Sequence, residues 1–431
     1  MQTLSHSLSQ NAPEIAAEIM QRLQELARHT EQPGMMTRTY LTPAHTAAAA
    51  QIGAWMQEAG MHVRRDAVGN VIGHYAACSS INNEAQPAPI LMTGSHFDTV
   101  RNGGVYDGLL GIVLPISCVA AWHKAGVRFP FAIEIVAFSE EEGVRFKAPM
   151  LGSRAIAGTF RHSVLEHTDE HGISMQDAMR AAGFDPTTID ASAAKRGSIA
   201  AFIEVHIEQG PVLLNAGLPL GVVTAISGAT RFMLELQGTA GHAGTVPMTM
   251  RHDAAMAAAE FALFVERRCS TVAGLVGTIG QWQVPNGATN VIPGKAILSL
   301  DVRAEDDAVR LAAIADLEQE LAAICSRRGI RSMLSKTYET SSATCAPWLK
   351  RGWRHALQRH EQPTLELPSG AGHDSMAIAD IAPIAMLFVR CGNGGISHHP
   401  DEILDAADAD MAARVFMDFV THFQIPNPTN P

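Results

Sequence analysis

Two short apolar runs, Ile90–Thr93 and Phe131–Ser139, flank a helical run, Leu109–Ala125. This alternation constrains the fold more than any other feature of the chain. Strand, helix and strand in that order require a parallel pair joined by a right-handed crossover. In open α/β sheets the reactive crevice lies outside the carboxyl ends of such strands. His96 and Asp98 follow the first run, and Glu140, Glu141 and Glu142 follow the second. These residues are expected to meet at one edge of the sheet.

The flanking segments extend this plan. Glu14–Arg28 reads as a helix. A second helix starts with Thr42 as N-cap and Pro43 at the first helical position, and stops at Gly60. Met61–Ala76 reads as two strands around Gly69-Asn70, a two-residue hairpin signal. Ser79–Pro89 is polar and reads as a loop. The middle of the chain differs in character. Arg231–Gln237 looks like a strand, His252–Arg268 a helix, Ala273–Trp282 and Lys295–Arg303 strands, Asp306–Arg328 a long helix and Ile330–Lys336 a strand. The order β-α-β-β-α-β is that of a ferredoxin-like unit. Helical and strand patterns then resume up to a last helix near Ala406–Phe423. The simplest architecture is an α/β domain from both ends of the chain, residues 1–213 and 335–431, with a smaller α+β domain, 214–334, inserted between them. A length of 431 residues fits two or three domains.

Composition excludes several functions. Lys plus Arg number 32 against 43 Asp plus Glu, a net charge of -11, and no basic run is present. Nucleic acid and anionic membrane are therefore not expected partners. The longest uncharged stretch, Gly108–His123, contains Pro115 and falls short of the roughly 20 apolar residues of a membrane span. The N-terminus lacks the basic and apolar regions of a signal peptide, and the six cysteines form no CxxC. Both features point to a reducing cytoplasm.

Four constellations could carry chemistry. In Ser95-His96-Phe97-Asp98 with Tyr106-Asp107-Gly108, a His at a strand end and an Asp eleven residues later can reach one cation; a capped, solvated loop explains them equally simply. Glu140, Glu141 and Glu142 repel one another unless a cation or solvent offsets their charge, although an acidic helix start would also tolerate them. Alternation puts Glu204, His206 and Glu208 on one strand face, as either a site or an exposed edge. The Gly-rich loop Gly370-Ala371-Gly372-His373-Asp374 leaves room for a substrate near the backbone, with Gly372 and His373 as its contacts. The adjacent pair His398 and His399 is as often a surface pair as a metal site. A mixed His/carboxylate set suits zinc, manganese, nickel or cobalt. No GxSxG elbow, P-loop or GxGxxG turn offers a competing chemistry.

Taken in order, these segments resemble the hydantoinase/carbamoylase branch of the M20 metallopeptidase-like amidohydrolases. The matching stretches are Gly94–Val100, Tyr106–Gly108, Glu140–Gly143, Glu204–Gly210, Gly241–Met248, Asn290–Gly294, Asp301–Arg303, Ser369–Asp374 and Gly395–His398. The resemblance implies a mixed-sheet, metallo-exopeptidase-like catalytic domain and an inserted ferredoxin-like domain that pairs two subunits and closes as a lid. It implies two divalent metal ions per subunit, zinc or manganese, with nickel or cobalt as alternatives. His96, Glu142, His206 and His398 resemble terminal ligands and Asp107 the bridging carboxylate. Glu141 resembles the general base and Asp98 the partner that orients His96. His242 resembles a residue that reaches the partner subunit's site and stabilises the oxyanion. Arg303 resembles a substrate-carboxylate clamp, and Gln209 and Asn290 polar substrate contacts.

The implied activity is hydrolysis of the ureido group of a small carboxylate substrate, with release of ammonia and carbon dioxide. Allantoate is the first choice, because Tyr106–Gly108 and Phe138–Phe146 resemble the corresponding segments of bacterial allantoate enzymes. N-carbamoyl-L-amino acids and N-carbamoyl-β-alanine come next. An aminopeptidase or aminoacylase, or a metal-bound dimer without catalysis, are more distant alternatives. The chain departs from the family pattern at three places. Pro285–Asn290 is one residue longer, which leaves the division of work between Asn286 and Asn290 open. Val246 replaces a threonine, and His399 follows His398, so either histidine could be the ligand.

Overall fold

The computed structural model describes residues 12–78 and 88–425. Most of the loop expected at Ser79–Pro89 lies outside the described residues. Sixteen strands are described: β1 His62–Arg65, β2 Val71–Tyr75, β3 Ile90–His96, β4 Ala132–Phe138, β5 Ile199–Ile207, β6 Leu220–Ile226, β7 Gly228–Gln237, β8 Gly241–His242, β9 Val276–Thr278, β10 Trp282–Gln283, β11 Val291–Ile292, β12 Lys295–Ala304, β13 Arg331–Thr340, β14 Ala343–Thr344, β15 Glu366–Ser369 and β16 Ile384–Val389.

The chain divides into two compact units. One comprises Met1–Thr224, Cys345–Leu367 and His373–Pro431, the other Ala225–Thr344 and Pro368–Gly372. The boundaries drawn from the sequence fall on other residues. Position 334 lies inside β13, which runs on to Thr340 instead of ending near Lys336. Pro368–Gly372 joins the second unit through contacts that no local pattern announces, such as Ser227 N–H to Ser369 O at 2.9 Å.

In the first unit the strands lie in the order β1-β2-β4-β3-β5-β16-β6. β3 runs parallel to β4 and to β5, and β5 parallel to β16, whereas β1, β2 and β6 pair antiparallel. The sheet is therefore mixed. β3, β4, β5 and β16 are buried along almost their whole length, which explains why they read as continuous apolar runs. The crossover helix Leu110–Lys124 packs against β3 and β5. The helix capped by Thr42 spans Pro43–Glu58, and the Thr42 side chain accepts from His45 N–H.

The hairpin differs from its sequence signal. β1 pairs with β2 at Arg65 and Val71, so five residues, 66–70, form the turn instead of two. Asp66 builds it: its side chain accepts from Val68 N–H and Asn70 N–H. This Asx-type bonding outcompetes the two-residue turn. Ala273–Trp282 breaks into two short strands, β9 and β10, separated by three residues.

In the second unit β13-β7-β12-β10 form an antiparallel sheet, with β9 also on β12. The first strand sits between the third and fourth, which is the ferredoxin-like order. Helices Ala254–Cys269 and Asp307–Arg328 start at the side-chain caps Asp253 and Asp306. Their apolar stripes, including Phe261, Val265, Leu317 and Ile324, share a core with Leu234, Leu236, Leu298 and Leu300 of the sheet. β12 alternates buried and half-buried residues, so only one sheet face is covered. No helix among the described residues is long and apolar enough to cross a membrane.

Candidate metal centre

Three parallel strands end at one place. β3 ends on His96, β4 on Phe138 just before Glu140–Glu142, and His206 is the penultimate residue of β5. β5 lies between β3 and β16, so its polar residues face the interior of the first unit and the exposed-edge reading of Glu204 and His206 is overturned. Strand β5 stops at Ile207, and Glu208 turns away from that face. Its carboxylate accepts from Val212 N–H at 2.6 Å and Leu213 N–H at 2.8 Å as a helix cap.

Asp107 sits at the centre of the cluster. Its Oδ1 lies 3.5 Å from His96 Nε2 and 3.2 Å from His206 Nε2. Its Oδ2 lies 3.1 Å from His398 Nε2, which is itself 3.5 Å from Glu142 Oε1. Two groups of potential ligands thus share this carboxylate: His96, Asp107 and His206, and Asp107, Glu142 and His398. Their ligating atoms lie within 4.8 Å of one another. Glu141 forms a further group with His96 and Glu142. His398 is the histidine that faces the cluster. His399 is exposed, and its Nδ1 accepts from Asp401 N–H.

The ring orientations fit a cation. His206 Nδ1–H donates to Ile207 O at 2.8 Å, and His96 Nδ1 faces Asp98 O at 3.1 Å and Asp98 Oδ1 at 3.4 Å. His96 Nε2 is then left to point at Asp107 Oδ1, while His206 Nε2 lies 3.2 Å from the same oxygen and also accepts from Gly108 N–H at 3.3 Å. Among the described residues Asp107 Oδ1 is buried without a hydrogen-bond partner. The His96 lone pair and the carboxylate oxygen that faces it need either an added proton or a metal ion between them, and His206 Nε2 stands beside the same oxygen. Without metal, protons serve: burial disfavours the His96 imidazolium, yet Asp107 and Asp98 push its pKa well above the ordinary value. Burial likewise opposes ionisation of Asp107, but bonding to His206, His398 and His96 holds it well below. Burial, with the charge of Asp107, pushes Glu142 up to about 7, and the bond to Asp107 lifts His398 to about 9.

Glu141 and Glu142 are placed by their backbones. Asp98 Oδ1 accepts from Glu141 N–H at 3.0 Å, and Asp98 Oδ2 from Glu142 N–H at 3.1 Å. One carboxylate therefore fixes the backbone of two consecutive residues. Glu140 is buried as well, and burial with the charge of Asp98 pushes its pKa well above the ordinary value. Gln209 has a left-handed φ of 57° and donates from Nε2 to Asp107 Oδ2 at 2.9 Å. His373 is buried, with its ring edge-on to His206 at a centroid distance of 4.5 Å.

The remaining expected residues belong to the second unit. His242 lies on β8, opposite Val291 of β11. Its Nδ1 accepts from Gly244 N–H at 3.0 Å, so Nε2 carries the proton of the neutral ring. Asn290 is exposed, and its carbonyl accepts from Ala243 N–H. Asn286 holds a left-handed φ of 57° within the same connection. Arg303 on β12 donates from Nε and Nη2 to Asp301 and from Nη1 to Gly370 O. Gly372 is the last residue of the second unit's short return segment.

Sequence reasoning missed several supports. Glu204 is buried and accepts from Ser95 Oγ–H at 2.7 Å and Ser375 Oγ–H at 2.6 Å. Ser397 Oγ lies 3.2 Å from Asp107 Oδ2 and 2.7 Å from Glu402 Oε2. Ser397 and Glu402 flank the His398-His399 pair, but nothing local links them to a residue some 290 positions earlier.

The model of peptidase family M20/M25/M40 matches residues 92–422. Allantoate deiminase 1 of Glycine max is 39% identical over 422 residues, spanning 90% of this chain and 86% of that protein. An N-carbamoyl-L-amino acid amidohydrolase of Geobacillus stearothermophilus is 38% identical over 398 residues, spanning 92% and 96%. The solved structure of a hydantoinase/carbamoylase family amidase from Burkholderia multivorans superposes with a TM-score of 0.86 at 30% identity, covering 94% of this chain and 96% of that one.

Proposed function

The chain belongs to peptidase family M20/M25/M40 and is a C–N hydrolase, and we propose that it hydrolyses the ureido group of a small carboxylate substrate at a two-metal centre. Allantoate is the first choice of substrate and N-carbamoyl-L-amino acids the second, since relatives bearing each name are almost equally similar. The observation that carries the reading is Asp107, shared between two ligand groups beside Glu141. Enzymes of this family are metal-dependent. His96 and His206 would hold one ion and Glu142 and His398 the other, with Asp107 common to both; zinc or manganese suits the set, as do nickel and cobalt. When bound, the pair supplies Lewis-acid polarisation and lowers the pKa of water.

Glu141 takes the proton of the attacking water and passes it to the leaving nitrogen. The carbamoyl carbon leaves as carbamate, which breaks down to carbon dioxide and ammonia. Arg303 clamps the substrate carboxylate: three of its guanidinium N–H groups are engaged, and about two of the five a guanidinium offers remain. Gln209, Asn290, Gly372 and His373 bound the rest of the substrate. The enzyme acts as a cytoplasmic homodimer, paired through the inserted unit. His242 of the partner subunit donates its Nε2–H to the developing oxyanion.

The test is ammonia release by purified protein loaded with manganese or zinc, with free amino acid measured for the dipeptide. The panel is allantoate, N-carbamoyl-L-amino acids, N-carbamoyl-β-alanine and a dipeptide. Turnover of allantoate supports the first choice, and turnover of carbamoyl amino acids alone moves the substrate to the second. Cleavage of the dipeptide alone sinks the ureido reading.

A further inference from the structure

We propose that Glu402 is a positioning residue for the metal centre, a clamp that fixes the Asp107 loop and the His398 loop to each other. The inference rests on the two-metal reading above and names a residue to which that reading gives no role.

Glu402 is 5% exposed. A carboxylate that deep is costly unless hydrogen bonds replace its water. Its Oε1 accepts from Tyr106 N–H at 2.9 Å and from Asp107 N–H at 3.2 Å. Its Oε2 accepts from Ser397 Oγ–H at 2.7 Å. One side chain thus ties the backbone of the shared ligand Asp107 to the residue before His398. The chain makes room for it: a Cβ at Gly104 would overlap the Glu402 carboxylate.

The site needs such a tie. Asp107 must present Oδ1 to His96 and His206 while Oδ2 faces His398. A small rotation of either loop would separate one group from the other. His398 also holds a left-handed φ of 56°, a conformation that a non-glycine residue keeps only when its surroundings enforce it. Within the loop, Glu402 N–H donates to His399 O at 3.1 Å, closing the turn that follows His398. The carboxylate therefore fixes the position of one ligand loop and the backbone of the other, and touches no reacting atom.

Chelator-stripped wild type, Glu402→Ala, Glu402→Gln and Ser397→Ala would be titrated with Co²⁺ against a chromophoric chelator. Bound equivalents and the visible Co²⁺ spectrum are read together. Wild type takes up two equivalents. Glu402→Ala weakens binding about 10- to 100-fold, as loss of an outer partner typically does, with a changed spectrum. Glu402→Gln, which keeps one oxygen for the two N–H groups, recovers most of the affinity. Ser397→Ala weakens the equivalent held by Glu142 and His398 more than the other, and it carries the test if Glu402→Ala does not fold. Two equivalents at wild-type affinity in both Glu402→Ala and Ser397→Ala, or in Ser397→Ala and Glu402→Gln if the alanine variant is lost, would overturn the clamp and leave the two-metal reading standing. Fewer than two equivalents in wild type would overturn that reading itself.

Discussion

Replacing Asp98 by Asn probes how one buried carboxylate organises the two glutamates. Asp98 is 1% exposed. Its Oδ1 serves Glu141 N–H at 3.0 Å and faces His96 Nδ1 at 3.4 Å, and its Oδ2 serves Glu142 N–H at 3.1 Å. Asparagine keeps the shape but has one oxygen and one NH2 group. Whichever way the amide turns, its NH2 meets a backbone N–H donor. One buried donor is left unsatisfied, which costs about 1–3 kcal/mol, and the remaining bonds lose their charge assistance. If the oxygen stays with Glu141, Glu142 is displaced; if it turns, Glu141 is displaced and His96 Nδ1 keeps only the Asp98 backbone carbonyl. Metal affinity should then fall about 10- to 100-fold in either case. Denaturant unfolding of the metal-free chain measures the first effect and chelator competition the second. An Asp98→Asn protein with wild-type stability and wild-type metal affinity would refute the reasoning, because no arrangement of an amide satisfies both N–H groups.

Other outcomes are equally definite. Glu141→Gln should lower kcat by about 10²–10⁴-fold while the bound metal equivalents stay unchanged, and an active variant would remove Glu141 from the role of base. His45 donates from Nε2 to Ser139 O at 2.7 Å and stacks on Phe97, and burial pulls its pKa down to about 4. The unfolded chain takes up this proton near pH 6.5 and the folded chain resists it, so the stability present above pH 6.5 is lost as the pH falls towards 4. The ceiling is about 3 kcal/mol. His45→Gln should flatten this part of the stability profile, and an identical acid slope would count against the assignment. Gly94 in β3 has a φ of 151°, and a Cβ there would overlap the Val136 carbonyl of β4. Gly94→Ala should destabilise the chain by about 1–3 kcal/mol or more, measured as the shift in its denaturant midpoint.

The sequence alone determined what depends on local pattern. The apolar runs at Ile90–Thr93 and Phe131–Ser139 became the parallel pair β3 and β4, because strands buried on both faces must be continuously apolar. The cap at Thr42 and the order of elements in the ferredoxin-like unit were legible from local pattern too. His96, Asp107, Glu141, Glu142, His206 and His398 were legible because they sit at strand ends or in segments that resemble a known family.

Tertiary structure decided the rest. Asp66 turned an expected two-residue hairpin into a five-residue turn. Glu208 left the face of its alternating partners because Ile207 ends the strand and the next helix needs a cap. His398 faces Asp107, whereas His399 bonds with Asp401. The roles of Asp98, Ser397 and Glu402 arise from hydrogen bonds to residues tens to hundreds of positions away. Periodicity records which face a side chain shows to the core. It carries no record of which distant backbone N–H will need an acceptor once the loops have closed.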